Sequence, residues 1–136
     1  MNKKNIDCEK NAFTQFCQTV SRLRSEDGCP WDRKQDGHSL RKYIREECDE
    51  LLEAMEGGDS SHLCEEMGDL LFLLVLLAEI NSEKDLFSMD DVLCGINEKM
   101  VRRHPHVFAD KPVGSEEELK EQWEKIKSQE LRKKIN

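Results

Sequence analysis

Hydrophobic residues recur at helical spacing near the start of the chain. Five of them stand at positions i, i+3, i+4, i+7 and i+10 and therefore share one helix face: Phe13, Phe16, Cys17, Val20 and Leu23. Polar and turn-forming residues follow from Ser25 to Pro30, which is typical of a loop. We expect this loop, which also carries Trp31 and Asp32, to run to about Gly37.

A second and a third helix are predicted on either side of a glycine pair. Ser39 is a suitable N-cap for a helix over residues 40–56. Gly57-Gly58 is expected to end that helix, because glycine readily adopts the left-handed conformation of a C-cap. Asp59 or Ser60 then caps the third helix.

The later part of the third helix, which we expect to end near Ile80, is apolar on every side. Residues 70–77 read Leu-Leu-Phe-Leu-Leu-Val-Leu-Leu, and a helix without a polar face must be covered all round. Four or five helices in one chain supply too little cover. We therefore predict an all-α bundle of four to five helices whose core is completed by a partner subunit, in a homodimer or a tetramer.

Two further helices follow. Ser88-x-x-Asp91 resembles a capping box and opens the fourth, which Pro105 ends near Arg103 because residues before proline avoid the α region. Ser115-x-x-Glu118 opens the fifth, whose last residues, 132–134, are expected to fray. No linker or repeat interrupts the chain, so we expect a single domain over residues 1–136 with its core at about 13–127.

Composition narrows the function classes. A net charge of -8 disfavours nucleic-acid binding, which usually needs a basic excess. The longest apolar run, at 70–78, is far shorter than the roughly 18–20 residues that cross a bilayer, so no membrane partner is expected. Scarce glycine (7) and proline (3) argue against an all-β fold, which needs many turns.

The cysteines and the chain start indicate a reducing compartment. None of the six cysteines forms a C-x-x-C pair, and residues 1–5 are polar without an apolar leader. We expect a cytoplasmic protein with reduced, mostly structural thiols: Cys8, Cys17, Cys29, Cys48, Cys64 and Cys94.

Acidic residues form the strongest chemical signal. Glu47 and Glu50 stand three residues apart on the second helix, as do Glu66 and Asp69 on the third, so each pair shares one face of its helix. If the glycine turn packs the two helices antiparallel, the pairs meet and offer the oxygen ligands that Mg²⁺ prefers. The alternative is a solvated acidic face, although both pairs adjoin the apolar stripes.

A basic cluster closes the fourth helix. Lys99 and Arg103 share a face at i, i+4, beside Arg102 and His104. Cations favour a helix C-terminus in any case, but lysine and arginine beside a bound Mg²⁺ also suit a triphosphate. Zinc binding by the histidines that flank Pro105 lacks further ligands of suitable spacing. Trp31 and Trp123 suit either packing or stacking on a base.

Four motifs in order resemble the MazG family of nucleoside triphosphate pyrophosphohydrolases. The resemblance covers about residues 13–127. The motifs are Gly28-Cys29-Pro30-Trp31-Asp32-x-x-Gln35, Glu46-Glu47-x-x-Glu50, Glu66-x-Gly68-Asp69-Leu70-Leu71, and Ile96-Asn97-Glu98-Lys99-x-x-Arg102-Arg103-His104-Pro105-His106-Val107-Phe108.

The resemblance implies an all-α pyrophosphatase fold that dimerises and hydrolyses NTPs or dNTPs between the α- and β-phosphates. It implies a Mg²⁺ ion, with Mn²⁺ as a substitute, at the positions matching four acids: Glu47, Glu50, Glu66 and Asp69. It further implies that Lys99 and Arg103 contact the triphosphate, and that Trp123 and Lys127 belong to a motif that closes over the nucleotide.

We expect a Mg²⁺-dependent enzyme of nucleotide-pool housekeeping, in which Glu46 or Glu50 activates the attacking water. The chain departs from the family at Asp36, where threonine is usual, and it holds one copy of a domain that some relatives carry twice. The alternatives are a non-catalytic module that binds nucleotides or a partner protein, and a metal or redox sensor that uses the cysteines.

Overall fold

The computed structural model describes residues 8–135, with side chains from residue 11 onward. The polar chain start and the side chain of Cys8 lie outside the described residues. Seven helices occupy the described part, in agreement with the all-α prediction: α1 (Cys8–Leu23), α2 (Pro30–Lys34), α3 (Leu40–Gly57), α4 (Ser60–Glu83), α5 (Met89–Arg103), α6 (Pro105–Phe108) and α7 (Glu116–Ile135).

Two short helices were not predicted. The loop expected from Ser25 to Gly37 was wrong over Pro30–Lys34, which forms α2, and α6 follows α5 almost directly. Each begins with proline, whose fixed φ suits the first helical position and whose missing N–H costs nothing there. Proline therefore ends the preceding segment and starts a helix in the same place.

The start of α3 corrects the cap predicted at Ser39. The side chain of Ser39 makes no capping bond to the helix backbone. Instead the carboxylate of Asp36 accepts a hydrogen bond from the Ser39 backbone N–H at 2.7 Å, and the Asp36 carbonyl accepts one from Leu40 N–H at 3.2 Å. The bond from the Ser39 N–H lowers the pKa of the Asp36 carboxyl group. Asp36, three residues before Ser39, therefore caps the start of α3. This is the structural role of the position at which the chain has aspartate and the family usually has threonine.

The other helix boundaries follow the predicted signals. Gly58, at φ 73°, is the left-handed C-cap of α3, and the Asp59 carboxylate accepts from Ser61 N–H at 2.9 Å as N-cap of α4. The Ser115 hydroxyl accepts from Glu118 N–H at 3.2 Å at the start of α7. Helix α7 continues to Ile135, past the residues that were expected to fray.

The chain divides into two compact units, an N-terminal unit (Met1–Met89) and a C-terminal unit (Asp90–Asn136). In the N-terminal unit α3 and α4 pack against each other across the glycine turn, and α1 packs on α4. Six buried residues form its core: Val20, Leu40, Leu73, Val75, Leu76 and Ile80. Helices α5, α6 and α7 of the C-terminal unit bury no residue fully.

The apolar run of α4 is only partly covered. Leu73, Val75 and Leu76 are buried, whereas Leu71 and Leu74 remain 39% and 45% exposed. Leu52, Met55 and Met67 are exposed as well, on α3 and α4. Within the described residues, no helix is both long and apolar enough to cross a membrane. No disulfide joins the cysteines at 29, 48, 64 and 94 in that same part of the chain.

Candidate functional site

Three carboxylates converge where α3 and α4 pack together. One oxygen each from Glu47 on α3 and from Glu66 and Asp69 on α4 lie within 4.8 Å of one another. The two-residue link at Gly58 and Asp59 forces the helices antiparallel, so local spacing on each helix becomes proximity between them. The structure thus brings together acids that stand on two separate helices.

Glu50 lies beside this group of three carboxylates. It stands one turn beyond Glu47 on α3, and its carboxyl group lies within hydrogen-bonding reach of both Glu47 and Glu66. The side chain is exposed to solvent, unlike that of Glu66, which is 8% exposed. Glu46, the other acid predicted to activate water, is exposed on α3 and is not among the three converging carboxylates.

Burial and mutual repulsion perturb these acids. Burial first, and then the charges of Glu50, Asp69 and Glu66, raise the pKa of Glu47 to about 7. The pKa of Glu66 is raised for the same reasons, with burial again the largest. Among the described residues, the buried oxygens Oε2 of Glu47 and Oε2 of Glu66 have no hydrogen-bond partner. Oxygens of this kind fit a hard divalent cation, which would supply the missing partner and offset the repulsion.

The raised pKa of Glu47 predicts how stability depends on pH. Because the folded pKa (about 7) lies above the ordinary value of 4.5, the folded protein holds the proton more tightly than the unfolded chain. With EDTA present, we expect the melting temperature to fall as pH rises from about 4.5 through 7. Glu47→Gln should flatten this fall in thermal melts between pH 4.5 and 8. Parallel profiles for the two proteins would contradict the assignment.

An aromatic cavity adjoins the carboxylates. It has a volume of about 240 Å³, and its lining consists of Trp31, Tyr43, Glu47, Asp69, Phe72 and Leu73. The rings of Trp31 and Tyr43 meet edge to face at 5.2 Å. Tyr43 and Phe72 were not identified as site residues from the sequence, because an aromatic residue within an apolar helix stripe is equally typical of the core.

An acid that the sequence did not single out pairs with two cations of the basic cluster in the C-terminal unit. Glu130 on α7 pairs with Arg102 at 2.6 Å and with Arg103 at 2.9 Å. Hydrogen bonds from Arg103 and Arg102 lower the pKa of Glu130 to about 2. Glu130 is one of many acids on α7, so nothing in the sequence distinguishes it. Lys99 lies half-buried on α5, one turn before Arg103.

The predicted C-terminal motif lies beside these arginines. The guanidinium of Arg103 stands over the ring of Trp123 at 5.1 Å, and His104 meets that ring edge to face at 5.3 Å. Lys127 pairs with Glu124 on the same helix at 3.9 Å. The second histidine, His106, contacts Gln122 at 3.1 Å. Both tryptophans therefore lie beside predicted site residues, Trp31 in one unit and Trp123 in the other.

Comparisons with known proteins identify the family. The family model described as the MazG nucleotide pyrophosphohydrolase domain matches residues 35–108. The chain is 48% identical to the "Uncharacterized protein YabN" of Bacillus subtilis over 87% of its own length and 24% of that protein's. It is 45% identical to a Thermotoga maritima "Nucleoside triphosphate pyrophosphohydrolase/pyrophosphatase MazG", over 90% of this chain and 46% of that one.

A third relative and a solved structure are similar to this chain as well. The "Nucleoside triphosphate pyrophosphohydrolase" of Escherichia coli K12 is 38% identical over 91% of this chain and 48% of its own. The chain thus spans less than half the length of these curated relatives. The crystal structure of a mazG-related protein from Thermotoga maritima superposes with a TM-score of 0.71 at 27% identity, over 85% of this chain and 98% of that one. The chain therefore belongs to the MazG nucleotide pyrophosphohydrolase family.

Proposed function

We propose that this protein hydrolyses nucleoside triphosphates, NTPs or dNTPs, between the α- and β-phosphates, to a nucleoside monophosphate and pyrophosphate. The observation that carries the proposal is the convergence of Glu47, Glu66 and Asp69, with two buried oxygens that lack partners. Family membership supports it, as do the names of two relatives. We place the activity in the cytoplasm, as nucleotide-pool housekeeping.

The carboxylate group is proposed to hold Mg²⁺, with Mn²⁺ as a substitute. Glu47, Glu50, Glu66 and Asp69 would be the ligands, since carboxylate oxygens suit both ions. When bound, the metal offsets charge on the phosphate oxygens and lowers the pKa of a coordinated water.

The residues of the chain are assigned to binding and proton transfer. Water attacks the α-phosphorus, the bond to the α,β-bridging oxygen breaks, and pyrophosphate leaves. Glu50 or Glu46 takes the proton of the attacking water. We favour Glu50, because it contacts the other carboxylates and still faces solvent. Glu46 has only the second of these properties.

Substrate binding is assigned to cationic and aromatic side chains. Lys99, Arg102 and Arg103 stabilise the negative charge of the polyphosphate, with arginine as a planar fork and lysine as a point charge. The two arginines already bind the carboxylate of Glu130. Like a pair of phosphate oxygens, this group is an anion that accepts hydrogen bonds at two oxygens. Trp31 contacts the nucleoside in the aromatic cavity. Trp123 and Lys127 close over the nucleotide.

A second copy of the chain is proposed to cover the exposed apolar residues of α3 and α4. Leu71 and Leu74 belong to a run that must be buried to be stable, and Leu52, Met55 and Met67 enlarge the apolar area. We propose a homodimer. Sedimentation equilibrium decides between monomer, dimer and tetramer.

The proposed activity is tested with a panel of NTPs and dNTPs in the presence of Mg²⁺ or Mn²⁺. We expect equimolar nucleoside monophosphate and pyrophosphate, and no orthophosphate in the absence of an added pyrophosphatase. Release of orthophosphate would place the cleavage at another bond. Tight nucleotide binding without any turnover would favour the alternative, a non-catalytic nucleotide- or partner-binding module.

Mg²⁺ is expected to stabilise the protein by linkage. A ligand that binds only the folded state at ten times its dissociation constant adds about 1.4 kcal/mol. For a chain of this size that corresponds to a rise in melting temperature on the order of 5 °C. Thermal melts with EDTA or with millimolar MgCl₂ at matched ionic strength measure it. An Asp69→Asn variant should lose most of the rise, and a wild-type protein that melts identically in both buffers would count against the metal site.

A further inference from the structure

Arg24, just after α1, has a largely covered side chain with an unusual set of partners. Its side chain is 9% exposed. One edge of the guanidinium pairs with both carboxylate oxygens of Glu83 at the end of α4, at 3.0 and 2.6 Å. The remaining nitrogen, Nη1, donates to three backbone carbonyls of one short segment, those of Asp32, Arg33 and Gln35, at 2.6, 3.0 and 2.9 Å.

Those carbonyls belong to the end of α2 and its C-cap. This helix needs contacts with the rest of the chain to stay folded and in place. Helix α2 has five residues, far below the length at which an isolated helix is stable. The Asp32 carbonyl accepts a long bond from the Gln35 N–H at 3.4 Å. The guanidinium adds a donor to this carbonyl and to the carbonyls of Arg33 and Gln35, which lie at the end of the helix. Gln35 extends the network, because its side-chain amide donates to the Trp31 carbonyl at 2.9 Å and its own carbonyl is held by Arg24.

The segment that Arg24 holds carries one wall of the cavity. Trp31 lies on α2 and faces Tyr43 across 5.2 Å, and the same cavity is lined by Glu47 and Asp69. Trp31 is 36% exposed, so packing against the core does not hold its ring alone. Its placement relative to the carboxylates therefore depends on contacts to the α2 backbone.

We propose that Arg24, oriented by Glu83, is a positioning residue that sets the Trp31 wall of the cavity and thereby the binding of the nucleoside part of the substrate. This rests on the proposed function. Arg24 touches neither the proposed metal ligands nor, in this assignment, the reacting phosphate. Its loss should therefore weaken substrate binding and leave the chemical step largely intact.

Two variants separate this role from a general contribution to folding. In Arg24→Lys, a single ammonium cannot reach both the Glu83 carboxylate and three carbonyls. Glu83→Gln leaves Arg24 in place but removes the charge that orients it, and Glu83 is partly exposed, so this variant is expected to fold. Arg22→Lys is the matched control, because Arg22 is exposed on α1 two residues away.

The first measurement needs no turnover. In a Trp123→Phe background, Trp31 is the sole tryptophan, and acrylamide quenching reports the exposure of its ring. Arg24→Lys and Glu83→Gln should raise the quenching constant, whereas Arg22→Lys should not. Unchanged quenching in Glu83→Gln, and in Arg24→Lys where it folds, overturns the proposal.

The second measurement is the split between KM and kcat for a good nucleotide substrate, with Trp123 intact. Stacking of a base on an aromatic ring contributes enough affinity that its loss should raise KM about tenfold, with kcat within about twofold. A fall in kcat with KM unchanged overturns the proposal. If the wild type turns over no nucleotide, the proposed function fails, and quenching alone then decides whether Arg24 positions Trp31.

Discussion

Glu50→Gln and Asp69→Asn are each expected to lower the rate of nucleotide hydrolysis by about 100-fold or more while the protein stays folded. Changes to residues that merely support metal ligands already cost 10–100-fold in many enzymes, so loss of a ligand charge should cost at least the upper part of that range. Both side chains are exposed, and both substitutions keep the shape of the group. The acids of the cluster repel one another, so removal of one negative charge should not lower the stability of the metal-free protein and should slightly raise it.

The combination of lost activity and retained stability distinguishes this prediction from simple misfolding. Steady-state rates, circular dichroism and thermal melts with EDTA measure the two effects separately. Glu53→Gln is the matched control, since Glu53 is an exposed acid on α3, three residues beyond Glu50, and should leave the rate unchanged. Full activity in both ligand variants would refute the assignment of the metal site.

Gly28→Ala is expected to destabilise the protein more than any other single methyl addition at a glycine of the N-terminal unit. A Cβ at Gly28 would lie 2.2 Å from the carbonyl oxygen of Leu23 and 2.5 Å from that of Arg22, both of them backbone atoms at the end of α1. Overpacking of this kind costs about 1–3 kcal/mol or more. The melting temperature should therefore fall on the order of 10 °C.

The substitution should also displace the cavity wall, because Gly28 lies one residue before the N-cap of α2, the helix that carries Trp31. The Cys29 N–H donates to the Leu23 carbonyl at 2.8 Å, and a displaced turn would break this bond. Gly57→Ala is the control within the same unit, since a Cβ there meets nothing within 4 Å and alanine favours the helix. Equal melting temperatures for the two variants would contradict this prediction, because they would show that the turn at Gly28 accommodates a Cβ without a loss of stability.

Local patterns predicted most helix boundaries and the acidic pairs. Gly58, Asp59 and Ser115 act through atoms within four residues of themselves, so their roles are visible in the sequence. The predicted cap of α3 was wrong, because two residues near its start, Asp36 and Ser39, are both suitable caps. Asp36, rather than Ser39, makes the side-chain capping bond at α3. The Asp36 carboxylate accepts from the Ser39 N–H, whereas the Ser39 hydroxyl donates to Gln35 and Asp36 and makes no bond to the helix backbone.

Contacts between distant segments were not predictable in the same way. Arg24 and Glu83 are 59 residues apart, and Arg103 and Glu130 are 27 apart. An arginine or a glutamate in these positions is typical of any solvated helix end. The aromatic cavity likewise depends on which faces of α2, α3 and α4 meet.

By itself the sequence determined the helical class, the two-residue turn between α3 and α4, and the presence of two acids on one face of each. Spacing along a helix and the conformational freedom of glycine are local properties, so they need no knowledge of the rest of the chain. Only the tertiary structure decided that Glu47, Glu66 and Asp69 share a site, that burial leaves two of their oxygens without partners, and that Arg24 holds α2. Burial and partnership depend on how separate helices pack, and packing is a property of the whole chain.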